Sequence, residues 1–180
     1  SKPQQFNQSF ERSNIAYMVF KVEDKLHLLK QILTKNSQSS IIYVRNRRAC
    51  IDISSQIEVM GFKSTYYHGG LDRKLKSKNM ELWMQNEVQV MVATNAFGMG
   101  IDKPDVKTVI HLQIPDTMEK YYEKAGRGGR NGEKAFAILL NSPSDFQQAK
   151  SQFIDVLPDK MFLKLIFVKL CNFLKIAYGE

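Results

Sequence analysis

Residues 41–48 read IIYVRNRR: four apolar residues run straight into a cluster of three arginines interrupted by one asparagine. The run Ile41-Ile42-Tyr43-Val44 has no polar alternation. It therefore suits a strand covered on both faces, as at the centre of a parallel sheet. A polar turn, Asn36 to Ser40, precedes it, and a helical pattern over 49–60 follows, stopping at Gly61 as C′ glycine. The same alternation continues outward in both directions. Strands are expected at 14–20, 62–67, 88–93, 109–112 and 135–140. Helices are expected at 23–35, where Leu26, Leu29, Ile32 and Leu33 fall at helical spacing, at 72–85 with Asp72 as N-cap, at 116–124 and at 142–153. Short apolar strands alternating with helices predict an α/β fold with a mostly parallel sheet and helices on both faces. Its functional residues belong on loops at the carboxyl ends of the strands.

Composition narrows the classes. The chain has 180 residues, 43% of them hydrophobic, enough for one packed domain. Lys and Arg number 26 against 18 Asp and Glu, a formal charge of +8, which fits a polyanionic partner. Cys50 and Cys171 are the only cysteines, too few for a disulfide framework or a four-cysteine zinc site. No zinc is therefore expected on this chain, and the expected compartment is a reducing one, the cytoplasm. Residues 1–12 read as a flexible lead-in or linker without the apolar core of a signal peptide, and no apolar run reaches membrane-spanning length. Secreted and membrane-spanning classes are set aside.

The tail differs from the rest. Residues 161–174, MFLKLIFVKLCNFL, form an apolar helical pattern with Lys164, Lys169, Asn172 and Lys175 on one arc. So wide an apolar arc expects a protein partner, a downstream domain packing on 161–174, and no membrane. The expected organisation is a lead-in over 1–12, an α/β lobe over 13–155 and the helical start of a following region over 156–180.

Four segments carry chemistry. KAGRGGRNGEK (124–134) sets Arg127 and Arg130 three apart among glycines; if the segment is helical, both heads converge on one phosphate cluster. VMVATNAFGMGIDKP (90–104) runs from a strand into Thr94, Asn95, Gly98, Gly100 and Asp102, a hydroxyl and free amides at a strand end. Arg45, Arg47 and Arg48 follow the central strand and suit phosphate contacts, while His68-Gly69-Gly70 ends another strand. All four are expected to gather at one edge of the sheet. His27, His68 and His111 have no carboxylate or cysteine at ligand spacing, so no metal site is expected.

The ordered set IIYVRNR, YHGGL, VMVATNAFGMGIDKPDVKTVIH and YYEKAGRGGRNG resembles motifs IV to VI of RecQ-type helicases in superfamily two, across about 41–146. The resemblance implies a second RecA-like lobe. Such a lobe closes on an N-terminal RecA-like lobe to sandwich ATP and Mg, the metal held mainly by the other lobe, while single-stranded or partly duplex DNA crosses both. It implies DNA contacts by Arg47 and Thr94, with His68 (a structural or DNA-side residue) and Asn95 expected beside them, and nucleotide contacts by Asp102, Arg127 and Arg130, with Gly100 expected beside Asp102. Arg130 matches the arginine finger, with Arg127 as the second catalytic arginine, and 3′ to 5′ travel is implied likewise. Glu123-Lys124, Gly128 and Asn131 depart from the family's usual Gln-Glu, Ala and Asp, which bears on coupling between the ATP and DNA sites. The chain contains no GxxxxGK[ST] loop, so alone it is expected to be inactive. The competing reading is a non-enzymatic nucleic-acid-binding module of the same fold.

Overall fold

The computed structural model describes residues 12–98, 101–157 and 159–175. Six parallel strands form one sheet in the order β1-β6-β5-β2-β4-β3, where β1 is Ile15–Lys21, β2 Ser40–Tyr43, β3 Ser64–Tyr67, β4 Val90–Ala93, β5 Thr108–His111 and β6 Ala135–Asn141. Between them run α1 (Lys25–Lys35), α2 (Arg47–Val59), α3 (Arg73–Met84) and α4 (Met118–Ala125). Every expected strand and helix is present, with ends shifted by a residue or two.

Parity along the strands divides the core. Ile42, Val90, Val92, Ile110 and Ile138 pack with Leu29 and Leu33 of α1 and Cys50 and Ile57 of α2. Ile41, Tyr43, Met91, Ala93 and Val109 face the other way, onto Trp83 of α3 and onto Phe97, Ile101 and Val106 of the loop after β4. A smaller cluster joins Ala125 of α4 to Ile15, Ala135 and Ala137. Central strands buried on both sides need the unbroken apolar runs seen in the sequence.

Local chemistry sets the helix ends. Asn46 caps α2 by accepting from the Ala49 amide at 2.8 Å, and Asp72 caps α3 through the Leu75 amide at 2.8 Å. α2 ends in a Schellman turn: the Phe62 amide donates to the Ile57 carbonyl at 3.1 Å and the Gly61 amide to the Glu58 carbonyl at 2.9 Å. Gly61 sits at φ +94°, a conformation that favours glycine.

The described chain forms two compact units, 1–143 and 144–180. The sequence places that boundary after Asp155. In the second unit, α5 (Pro143–Phe153) begins at the border and α6 (Lys160–Leu174) is capped by Asp159, which accepts from the Phe162 amide at 2.7 Å. Met161, Phe162, Leu165 and Phe173 of α6 are exposed. No helix among the described residues is long and apolar enough to cross a membrane.

Candidate nucleotide and nucleic-acid site

Register brings the strand ends level. Tyr67 pairs with Ala93, Ala93 with Tyr43, and Tyr43 with His111, so four strands stop at one height. Three loops open there side by side. Arg45 and Asn46 lead into Arg47 and Arg48 at the start of α2, Gly69 follows β3, and Thr94 and Ala96 follow β4. Together they line one open groove. The start of α2 adds first-turn amides without intrahelical partners and the positive end of a helix dipole to its arginines. Gly70 makes room for Arg47: a Cβ there would lie 2.7 Å from Arg47 Nη1.

Arg47 and Thr94 thus share a groove, and two other expected contacts stand apart from it. His68 is 6% exposed and its ring stacks on Tyr66, with centroids 5.9 Å apart. Burial, then the charges of Arg47 and Lys76, lower its pKa. Asn95 is exposed, but its Oδ1 accepts from Lys124 Nζ in a neighbouring pocket lined by Tyr43, His111 and Gln113.

The 124–134 segment corrects the expectation of one shared edge. α4 carries the chain back across the sheet, so its following loop leads into β6 at the opposite end. The Gly129 amide donates to the Val106 carbonyl at 2.8 Å, and Ala135, the first residue of β6, to Asn14 at 2.9 Å. The two arginines do not share a helical turn either, because α4 stops at Ala125 and Gly129 takes φ +58°. Their heads go to separate places on one loop. Arg127 is nearly buried, paired with Glu123 Oε1 at 3.1 Å and packed on Gly98, where a Cβ would lie 2.6 Å from its Nη2. Arg130 is one-third exposed; its Nη1 donates to the Ile101 carbonyl at 2.8 Å and to Asp102 Oδ1 at 3.0 Å. Gly100, expected at the nucleotide, lies outside the described residues.

Residues 94–98 begin in the arginine groove and end against Arg127, and Ile101 and Asp102 meet Arg130. Next comes Lys103, whose ammonium is buried on Asp105, Asn86 and the Met84 carbonyl. Burial opposes the charge on Asp105, yet the Lys103 contact holds its carboxyl below the usual range. No group of acids, histidines or cysteines among the described residues can hold a metal ion.

Sequence reasoning passed over two features. Lys124 enters the sequence reading as the start of the 124–134 segment and as a departure, but its buried amine spans from Asn95 to the Tyr43 ring, 5.0 Å from its centroid, and burial lowers its pKa. Beside it His111 stacks on Tyr43, and burial followed by the Lys124 charge pushes its pKa down to about 3. Arg12 and Asn14, read as lead-in and strand start, reach the 126–133 loop. Isolated polar residues carry no periodic signal that could have announced these contacts.

A parallel sheet with a basic groove at its strand ends and two arginines braced on a separate loop fits a RecA-like lobe. The chain matches the helicase conserved C-terminal domain over residues 24–132 and belongs to that family, in its RecQ branch. It is 39% identical over 137 residues to the ATP-dependent DNA helicase RecQ of Bacillus subtilis, covering 76% of this chain and 23% of that protein. It is 36% identical to the ATP-dependent helicase SGS1 of Saccharomyces cerevisiae, covering 81% of this chain and 10% of that protein. A DEAD box protein from Methanococcus jannaschii shares the fold, with a TM-score of 0.66 at 24% identity over 78% of this chain and 40% of that one. The chain spans a quarter or less of the length of these curated relatives.

Proposed function

We propose that this lobe is the second motor lobe of an ATP-dependent DNA helicase. It lends Arg130 and Arg127 to the phosphates of ATP, and its groove to the backbone of single-stranded or partly duplex DNA. The observation that carries the proposal is a pair of contacts made by the chain that follows β4: Thr94 lines the groove, and Asp102 meets Arg130. A change in the nucleotide grip on Arg130 can thereby reach the DNA groove along the same loop.

Phosphoryl transfer asks for charge stabilisation and positioning more than covalent help. An arginine supplied across a closing cleft is worth about 10³–10⁵ in rate. Arg130 suits that task better than Arg127. Its pair with Asp102 is largely exposed and worth at most about 1 kcal/mol, so phosphate oxygens can replace the carboxylate at little cost. Arg127, locked between Glu123 and Gly98, braces the loop and faces the nucleotide from a fixed position. Asp102, freed when Arg130 turns, is exposed enough to accept from a ribose hydroxyl. At the DNA side, Arg47 offers a planar fork to a phosphate and Thr94 a hydroxyl.

In this reading ATP lies between this lobe and an N-terminal RecA-like lobe of the same protein, and closure couples hydrolysis to travel, 3′ to 5′ by resemblance. Magnesium accompanies ATP, but the described residues do not fit a magnesium site and no step here passes through the ion. The exposed apolar side chains of α6 are assigned to a downstream domain, and the whole protein to the cytoplasm. The test is ATP hydrolysis by the natural full-length protein with and without single-stranded DNA. Stimulation by DNA is expected; DNA binding with no hydrolysis would leave the non-enzymatic binding module.

A further inference from the structure

The short stretch before β1 grips the loop that carries both motif arginines. Arg12 Nη1 donates to the Gly126 carbonyl at 3.1 Å, and Nη2 donates to Gly128 at 3.3 Å and Gly129 at 2.7 Å. Asn14 Nδ2 donates to the Gly129 carbonyl at 2.7 Å and to the Glu133 carbonyl at 2.8 Å. Arg12 Nε also donates to Asn14 Oδ1 at 3.3 Å, tying the two side chains together.

Each part has a physical reason. α4 ends at Ala125, so the carbonyls of Gly126, Gly128 and Gly129 lie just beyond the negative end of its dipole and suit a cationic donor. A guanidinium presents five donors in one plane and can span several such oxygens, which an ammonium cannot. The grip is founded on the sheet. The Ile15 amide donates to the Arg12 carbonyl at 3.0 Å, and Ala135 donates to the Asn14 carbonyl at 2.9 Å, one step before Ile15 pairs with Ala135. Gly129 completes the fit, since at φ +58° a Cβ would lie 2.6 Å from both Asn14 Nδ2 and the Glu133 carbonyl.

The residue after Gly129 is Arg130. Its main chain is thus fixed from below by Arg12 and Asn14, while its head rests on Ile101 and Asp102. We infer that Arg12 and Asn14 are positioning residues for ATP hydrolysis: they hold the 126–130 main chain so that Arg130 meets the transferring phosphate in register. The inference rests on the nucleotide reading of Arg130 given above. Neither residue touches the phosphates; both act through the loop.

The test is a double-variant cycle in the natural full-length protein, measured as ATP hydrolysis at saturating single-stranded DNA. Arg12→Ala should lower kcat about 10- to 100-fold, the cost of a misplacement of about 1 Å. KM for ATP and DNA affinity should each stay within about threefold. In an Arg130→Ala background, adding Arg12→Ala should change kcat less than about twofold, because the group being positioned is already gone. Leu33→Ala, which opens the core on the other face of the sheet, serves as a destabilised control that keeps kcat. Unchanged kcat in Arg12→Ala, or multiplying effects in the double variant, overturns the inference while leaving the role of Arg130 intact. No loss in Arg130→Ala itself instead overturns the nucleotide reading, and the inference with it. If Arg12→Ala fails to fold, Asn14→Ala, which frees the Gly129 carbonyl of one donor, carries the same cycle with the same outcomes.

Discussion

His111 is the last residue of β5, 2% exposed, with its ring stacked on Tyr43 and tilted against Tyr121 and neither ring nitrogen bonded within the described structure. Burial leads the depression of its pKa, from 6.5 to about 3, and the Lys124 charge adds to it. The unfolded chain therefore binds a proton between these values and the folded one does not. Such a group contributes stability above the unfolded pKa, and that contribution drains as pH falls from about 6.5 toward about 3. At one proton-equivalent per unit, about 1.36 kcal/mol, the loss between pH 6.5 and 4.5 is about 2–3 kcal/mol. Asp105 contributes in the same sense, but only below the ordinary carboxylate range and so beneath this window. His68, also lowered by burial, adds a smaller slope of the same sign. Urea unfolding of the chain at several pH values reads this directly. His111→Phe keeps the stacked ring and removes the titration, so its stability should fall by less than about half as much over the same range. Equal slopes for wild type and His111→Phe would refute the assignment, and a flat wild-type profile would refute the burial argument.

Other expectations concern the site. Arg47→Ala should make binding to single-stranded DNA less salt-dependent, reducing the slope of log affinity against log salt by about 0.7, one phosphate contact; an unchanged slope would remove Arg47 from the DNA path. Gly98→Ala and Gly70→Ala put equally close Cβ atoms against arginine heads, 2.6 Å from Arg127 and 2.7 Å from Arg47. Arg127 is buried and cannot yield, so Gly98→Ala should cost about 1–3 kcal/mol of stability. Arg47 is exposed and can swing away, so Gly70→Ala should cost less than about 0.5 kcal/mol and act on DNA affinity instead. Thermal melts of the two variants check the contrast.

The sequence made the fold legible because burial on both faces leaves a plain mark. Ile41 to Val44 and Val90 to Ala93 are uninterrupted and almost wholly buried, and capping residues such as Asp72 stand at the helix starts. The groove was legible for a similar reason, since loops after level parallel strands must open together. The arrangement of the arginines was hidden. Spacing of three suggests one helical turn, but Gly129 at φ +58° breaks the turn, and the heads part to Gly98 and Asp102. The return of α4 to the other end of the sheet also moved this loop away from the edge where the rest of the site was expected. Lys124 and Arg12 were hidden more deeply, because each acts on partners about 30 and more than 110 residues away.

Crossed variants in the natural full-length protein separate the two sites on this lobe. DNA-stimulated ATP hydrolysis and single-stranded DNA affinity are measured together for Arg130→Ala and Arg47→Ala. The account predicts that Arg130→Ala lowers hydrolysis by about 10³-fold or more with DNA affinity kept, while Arg47→Ala weakens DNA affinity and raises the DNA concentration needed for stimulation. Full hydrolysis in Arg130→Ala, or equal loss of both activities in both variants, would contradict it.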